Sequence, residues 1–269
     1  MVVVPAGSFV MGSPDGEGDS YEHPRHKVTI DKPFAVGRTH ITRGEFATFV
    51  RATEYKAEGG CYSWTGTEGE FVFDASWRSP GFEQDDTHPV VCVNWNDAKA
   101  YVKWLSGVTG KTYRLMSEAE AEYVARGLTE PRQDQPRYFF GNDETDLCTY
   151  GNGTDEAAKA KMHNSLTYAP CNDGHVFTAP VANFKQNAFG LYDVHGNVWS
   201  WTEDRYHDKY DNPPTDGSAW TAGDSSSRVL RGGSWYDSPQ FLRSAVRGWH
   251  STVGRGFIVG FRLARTLNP

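Results

Sequence analysis

Three stretches of the chain set apolar residues behind a polar cap, the arrangement that starts an amphipathic helix. Thr42-Arg43-Gly44-Glu45 has the capping-box spacing, a hydroxyl residue followed three positions on by Glu, and leads into Phe46-Ala47-Thr48-Phe49-Val50. Ser117-Glu118-Ala119-Glu120 repeats the pattern ahead of Ala121-Glu122-Tyr123-Val124-Ala125. Between them, Asn94 or Asn96 can cap a helix whose Ala98, Val102 and Leu105 fall on one face, with Gly107 and Gly110 placed to end it. Elsewhere no helical period is sustained. With 28 Gly, 14 Pro and 14% aromatic residues among 269, the pattern predicts short strands, few helices and long loops held by Trp and Tyr.

Composition narrows the function classes. At 38% hydrophobic the chain can bury a substantial core, and with no internal repeat and no linker it reads as a single domain over residues 1–269. Gly127 to Lys161, rich in charge and Asn/Asp, reads as a surface insertion. A net charge of -7 without any Lys/Arg cluster argues against nucleic acid as a partner. No apolar run reaches the length of a membrane span, and Met1-Val2-Val3-Val4-Pro5 lacks the charged-then-apolar pattern of an export signal.

Familiar catalytic motifs are missing. Neither a Gly-x-Ser-x-Gly elbow nor a His-Glu-x-x-His pair occurs, and Cys61, Cys92, Cys148 and Cys171 show no zinc-ligand spacing. His23 and His26 read as surface residues of an acidic loop, and His195 as part of a turn. Nothing in the spacing supports a Ser234–His250 catalytic pair.

A set of motifs runs in order through nearly the whole chain. Pro89-Val90-Val91-Cys92-Val93-Asn94-Trp95, with Asp97-Ala98 and Tyr101, precedes Tyr113-Arg114-Leu115. Phe189-Gly190-Leu191-Tyr192-Asp193-Val194-His195-Gly196-Asn197-Val198-Trp199 follows, then Arg231-Gly232-Gly233-Ser234-Trp235 and Gly260-Phe261-Arg262. Together they resemble the formylglycine-generating enzyme (sulfatase-modifying factor) family, with Val2 to Gly12 as its first core strand and turn and Met116-Ser117 where the family has Pro-Thr. The resemblance implies an α+β fold, formylglycine-generating-enzyme-like and C-type-lectin-like. It also implies pairing of Cys61 with Cys92, on a strand over His88–Cys92, and of Cys148 with Cys171. The residues alone leave three pairings open, and four reduced buried thiols as well. Disulfides would place the mature protein outside the cytoplasm, with any export signal upstream of this chain.

Enzymes of that family carry two cysteines in the segment corresponding to Arg231–Arg265, where they bind copper and oxidise a substrate cysteine. The last cysteine here is Cys171, so no copper and no formylglycine chemistry are expected. Structural calcium is expected instead. The family's oxygen ligands map onto Asn164, Ser165, Asp173 and His175, and a second, weaker set onto Asp193, Gly196 and Val198, with Ser200 lacking the usual carboxylate. Turns held by Asn and Asp side chains would account for the same residues without metal.

The C-terminal segment keeps the family's framework while its variable slots differ. Relatives fill those slots with Asn and Asp; here they hold Tyr236, Asp237, Ser238, Phe241, Val246, Gly248, His250, Val253, Gly254, Gly256, Phe257 and Ile258. This resembles the variable proteins of diversity-generating retroelements, in which Asn-type codons are randomised across a binding surface. Lys, Glu, Gln, Met and Trp cannot arise that way, and none occupies a slot. Exposed aromatic and apolar residues mark interaction sites, so the expected function is a non-catalytic module binding a protein or other surface ligand. Tyr236, Asp237, Ser238, Phe241, Val246, Gly248, Trp249, His250, Val253, Phe257 and Ile258 are its expected contact residues, with Trp235, Arg243, Arg247 and Trp249 behind them. Phe241, Phe257 and Ile258 could instead fill core. The alternative is an extracytoplasmic enzyme of oxidative peptide or siderophore-precursor maturation, since Gly190–Trp220, with Pro214-Thr215-Asp216-Gly217-Ser218-Ala219-Trp220, also resembles cysteine-lacking relatives in pyoverdine maturation.

Overall fold

The three capped helices form as the sequence dictates. A computed structural model describes residues 1–66, 68–129, 134–162 and 166–267. Helix α1 (Arg43–Thr53) starts at Thr42 and α3 (Glu118–Arg126) at Ser117, each with both bonds of a capping box. Asn94, in a third capping box with Asp97, starts α2 (Trp95–Thr109). Gly110 ends that helix at positive φ, and Gly107 stays inside it. Two shorter helices, α4 (Leu147–Tyr150) and α5 (Glu156–Met162), lie in the middle of the chain.

Two four-stranded sheets organise the rest. The first joins β1 (Val2–Val4), β4 (Phe34–Val36), β12 (Leu263–Thr266) and β7 (Tyr113–Leu115), so strands from opposite ends of the chain are neighbours. The second has the order β10 (Arg247–Ser251), β9 (Ser227–Arg231), β8 (Trp199–Arg205), β11 (Val259–Gly260). Hairpins β2 (Gly7–Met11) with β3 (His26–Ile30), and β5 (Cys61–Trp64) with β6 (Gly69–Val72), complete the framework. Pro5 cannot donate to a ladder, and the run from Val2 to Gly12 accordingly splits into β1 and β2. His88–Cys92 is not a ladder strand. Cys92 sits at positive φ, and the segment is held by separate bonds from Val90 N–H to the Ile41 carbonyl and from Cys92 N–H to that of Gly256.

Apolar burial falls into two main clusters, with α3 in the second. Phe46, Phe49, Tyr101, Trp201, Trp235 and Phe261 centre the larger cluster, and Phe9, Val28, Met116 and Val124 a second one. Gly127–Lys161 is only partly a surface insertion, for Tyr138 and Leu147 are buried with Leu242 in a third cluster. Apolar residues spaced among Asn and Asp carry no periodic signal, which is why composition alone places that stretch outside. Disulfides join Cys61 to Cys92 and Cys148 to Cys171. No described helix is long and apolar enough to cross a membrane.

Candidate binding groove

The segment from Arg231 is fixed by charges turned inward. Arg231 donates to Glu122 and to the carbonyls of Ala245 and Val246. Arg247 forms a two-pronged pair with Glu118 and also reaches the Tyr21 carbonyl. Arg243 pairs with Glu22 through both terminal nitrogens, each bond 3.1 Å. All six partners are buried, and such pairs hold register because removing one member strands the other. Further along, α2 grips the loop after β10: Asn94 and Asn96 donate to the carbonyls of Val253 and Thr252, and Arg255 forms a fork with Asp97 at 2.8 and 3.0 Å.

Between β10 and the β5–β6 hairpin this anchoring leaves a groove of about 760 Å³. Tyr236, Gly248, Trp249, His250, Phe257 and Ile258, six of the eleven expected contact residues, line it. Trp249 stacks on Tyr206 with ring centroids 4.1 Å apart and remains 45% exposed, so it faces the groove and is no rear support. Tyr236 packs edge-on against Trp64 and Phe257. Phe257 is buried as well as lining, and forms the floor. His250 folds over Gly254, and burial lowers its pKa, which keeps the ring neutral at pH 7.

The other expected residues divide by physical cause. Ser238 and Val246 are buried, Ser238 beside the 3-10 turn Pro239–Leu242 and Val246 at the entry to β10. Phe241 and Val253 are exposed but lie outside the groove lining. Asp237 lies beneath the groove, its carboxylate accepting from Trp199 Nε1 at 2.8 Å and from the Ser234 backbone and hydroxyl. Burial pushes its pKa up to about 6, against the pull of those bonds. Ser234 is thereby committed to Asp237. The expectation of one continuous exposed face therefore gives way to a groove with a buried floor and outlying residues.

Tyr62, Glu68, Gly69, Trp199 and Leu230 also line the groove and were not foreseen. They arrive by long-range pairing. Phe257 N–H bonds the Tyr62 carbonyl, Tyr62 N–H that of Arg255, and β11 runs parallel to β8 with Val259 beside Trp199. Exposed Phe71 pairs across from Tyr62 and extends the aromatic wall. The only sequence hint was aromatic residues in a short alternating hairpin.

His195 lies in the expected turn, and that turn is buried. Its Nδ1 meets the Leu242 carbonyl, its Nε2 accepts from Phe139 N–H, and burial drives its pKa down to about 3.

The two expected calcium ligand sets differ in their charges, and among the described residues neither gathers three or more His, Cys, Asp or Glu side chains. Asn164 and Ser165 lie outside the described residues. Asp173 binds His175 N–H through Oδ1, its buried Oδ2 has no protein partner, and its pKa is pushed up to about 8 by burial and then by Asp155. Asp155, a second buried carboxylate unforeseen in the sequence, accepts from Asp173 N–H at 2.6 Å. Two carboxylates repelling each other in low dielectric suit a hard cation. Around Asp193 the charges are of the wrong sign. Arg262 donates to the Tyr192 and Asp193 carbonyls at 2.6 and 3.2 Å, and Gly196 already accepts from Val198 N–H.

Fold and groove together define a C-type-lectin-like scaffold presenting an aromatic cleft. The sulfatase-modifying factor enzyme 1-like domain matches residues 1–267, and the chain belongs to that family. It is 33% identical over 300 residues to a formylglycine-generating enzyme of Streptomyces coelicolor, covering 98% of this chain and 88% of that protein. It is 32% identical to the inactive C-alpha-formylglycine-generating enzyme 2 of Bos taurus, over 88% of this chain and 77% of that one. Among solved structures, PvdO from Pseudomonas aeruginosa is 38% identical with a TM-score of 0.79, over 98% of this chain and 93% of the other. Treponema denticola variable protein 1, at 23% identity and a TM-score of 0.68 over 98% and 94%, shares the fold.

Proposed function

We propose that this protein is an extracytoplasmic binding module whose groove takes a ligand with an aromatic or aliphatic body, uncharged or cationic, and that it performs no copper–thiolate oxidation. The groove's lining carries the reading: seven of its residues are aromatic or aliphatic besides Val259 and His250, and its single formal charge is Glu68. Such surfaces bind through apolar burial, and ring faces attract cations. An anion would find no Lys or Arg lining the groove. The four cysteines are all disulfide-bonded, so no thiolate is available to a metal or substrate, and disulfides suit an oxidising compartment. Calcium at Asp173 and Asp155 would brace the loop beside Cys171 and supply no chemistry.

Titrating the protein with N-acetyl-tryptophan amide, a tryptophan-bearing cationic peptide and its glutamate-substituted counterpart tests this. The amide and cationic peptide should bind and the anionic peptide should not, with binding lost in Trp249→Ala. Equal binding of both peptides, or conversion of a Cys-x-Pro-x-Arg peptide to its aldehyde with copper and oxygen, would overturn the reading.

A second reading has one observation in its favour. The 38% identity to PvdO over nearly the whole chain supports a role in maturing a peptide-derived precursor, with the electron acceptor supplied from outside the groove. Mass spectrometry would separate the two: net loss of a hydrogen pair from an incubated precursor marks the enzyme, and unchanged mass with retained binding marks the module.

A further inference from the structure

Behind the segment, between α3 and strands β8 and β9, the protein encloses an interior cavity of about 20 Å³. Its polar lining is His40, Asp193, Ser200, Arg231, Ser244 and Arg262, all buried. Among the described residues, His40 Nδ1, Asp193 Oδ1, Ser244 Oγ and Arg231 Nε have no hydrogen-bond partner in the protein. Leaving one buried polar atom unsatisfied is costly, and four on residues that line one small space point to a shared partner.

We propose that this cavity is a binding site for an ordered water molecule, and that water takes the place of the second calcium ion expected near Asp193. The volume suits one water, which needs roughly 10–15 Å³ of such space and two to four polar neighbours. Donors and acceptors also balance. One His40 ring nitrogen bonds the Val198 backbone, and Nδ1 is left free to accept when the other nitrogen carries the proton. The water donates to His40 Nδ1 and Asp193 Oδ1 and accepts from Ser244 Oγ–H, with Arg231 Nε–H able to complete a fourth bond. Arg231 Nε keeps a longer electrostatic contact with Glu118 at 3.9 Å. A divalent cation would meet two guanidinium groups and one carboxylate there. An anion would meet Asp193 and the lone pair of His40. Water alone satisfies both signs, and it links Ser244 of the C-terminal segment to His40 and Asp193 in the body of the fold.

Crystals of the full chain grown in calcium chloride, with a second set soaked in sodium bromide, provide the test at long wavelength. A peak within hydrogen-bond distance of His40, Asp193 and Ser244 without anomalous signal in either set is expected. An anomalous calcium or bromide peak, or a cavity without density, would overturn the proposal. Ser244→Val gives an independent reading in solution. Displacing the water strips two acceptors of their donor, so the melting temperature should fall by roughly 2–8 °C; an unchanged or higher value would mark a dry cavity filled by the added methyls and count against the site.

Discussion

Within Arg231–Arg265 the two faces of one segment invert the usual rule of charge outside and apolar inside. Arg231, Arg243 and Arg247 are buried, while Trp249, Phe241 and Val253 are exposed. The difference lies in partners. Each arginine finds a buried carboxylate at fixed geometry, while Trp249 sits outward on β10, paired in register with β9, and Phe241 and Val253 lie on a 3-10 turn and a loop outside that ladder. Polarity at a position therefore says little about its side; what is available to pair with it says more.

Breaking the inner face should have the largest effect. Arg247→Met would leave buried Glu118 without its two-pronged partner, with only the longer Arg231 contact at 3.9 Å, next to Asp204, which is itself held up to about 7 by burial and by Glu118. A loss of about 3–5 kcal/mol in chemical denaturation is expected, and one below about 1 kcal/mol would erase the distinction between the faces. Phe257 sharpens it, being core and groove floor at once. Phe257→Ala should cost toward the lower end of roughly 3–5 kcal/mol and also weaken binding of the tryptophan amide.

An intermediate effect concerns pH. Asp173 has a folded pKa raised to about 8 from 3.8, so the folded state holds a proton that the unfolded state releases. Its contribution to stability is present below the unfolded value and lost as pH rises through about 8. Without calcium the melting temperature should fall between pH 5 and pH 9 by this contribution, all else equal, whereas bound calcium should hold the carboxylate ionised and flatten the slope. Identical profiles in EDTA and in calcium would remove the metal from Asp173. The smallest effect belongs to the outlying residues: Phe241→Asn and Val253→Asn should each change stability by no more than about 0.5 kcal/mol and leave groove binding intact. Loss of binding in either would extend the site beyond the groove.

The helix caps were legible from local spacing and the family from ordered motifs, and the disulfide pairing followed only through the family resemblance. The groove was half legible. Tyr236, Trp249, His250 and Ile258 lie in the segment that carries the family signature, but Tyr62 reaches it through a bridge to Gly256, Leu230 through pairing with Gly248, and Glu68 through the turn of Tyr62's hairpin. Burial of Ser238 and Val246 escaped for another reason: a 3-10 turn followed by a short strand has no period from which inside and outside can be read. Asp155 escaped because a single Asp at a helix start looks like a cap, which it also is, accepting from Ala158 N–H.

The two walls of the groove are not independent bodies. Tyr62 on the hairpin bonds the backbone of Arg255 and Phe257 on the floor, and Cys92, joined to Cys61 on the same hairpin, bonds Gly256 between them. A cleft stitched this way has its width set before any ligand arrives, and little ordering is left for binding to impose. Ligands of one charge type should then arrive at similar rates, and the discrimination among them should be written in how long each remains.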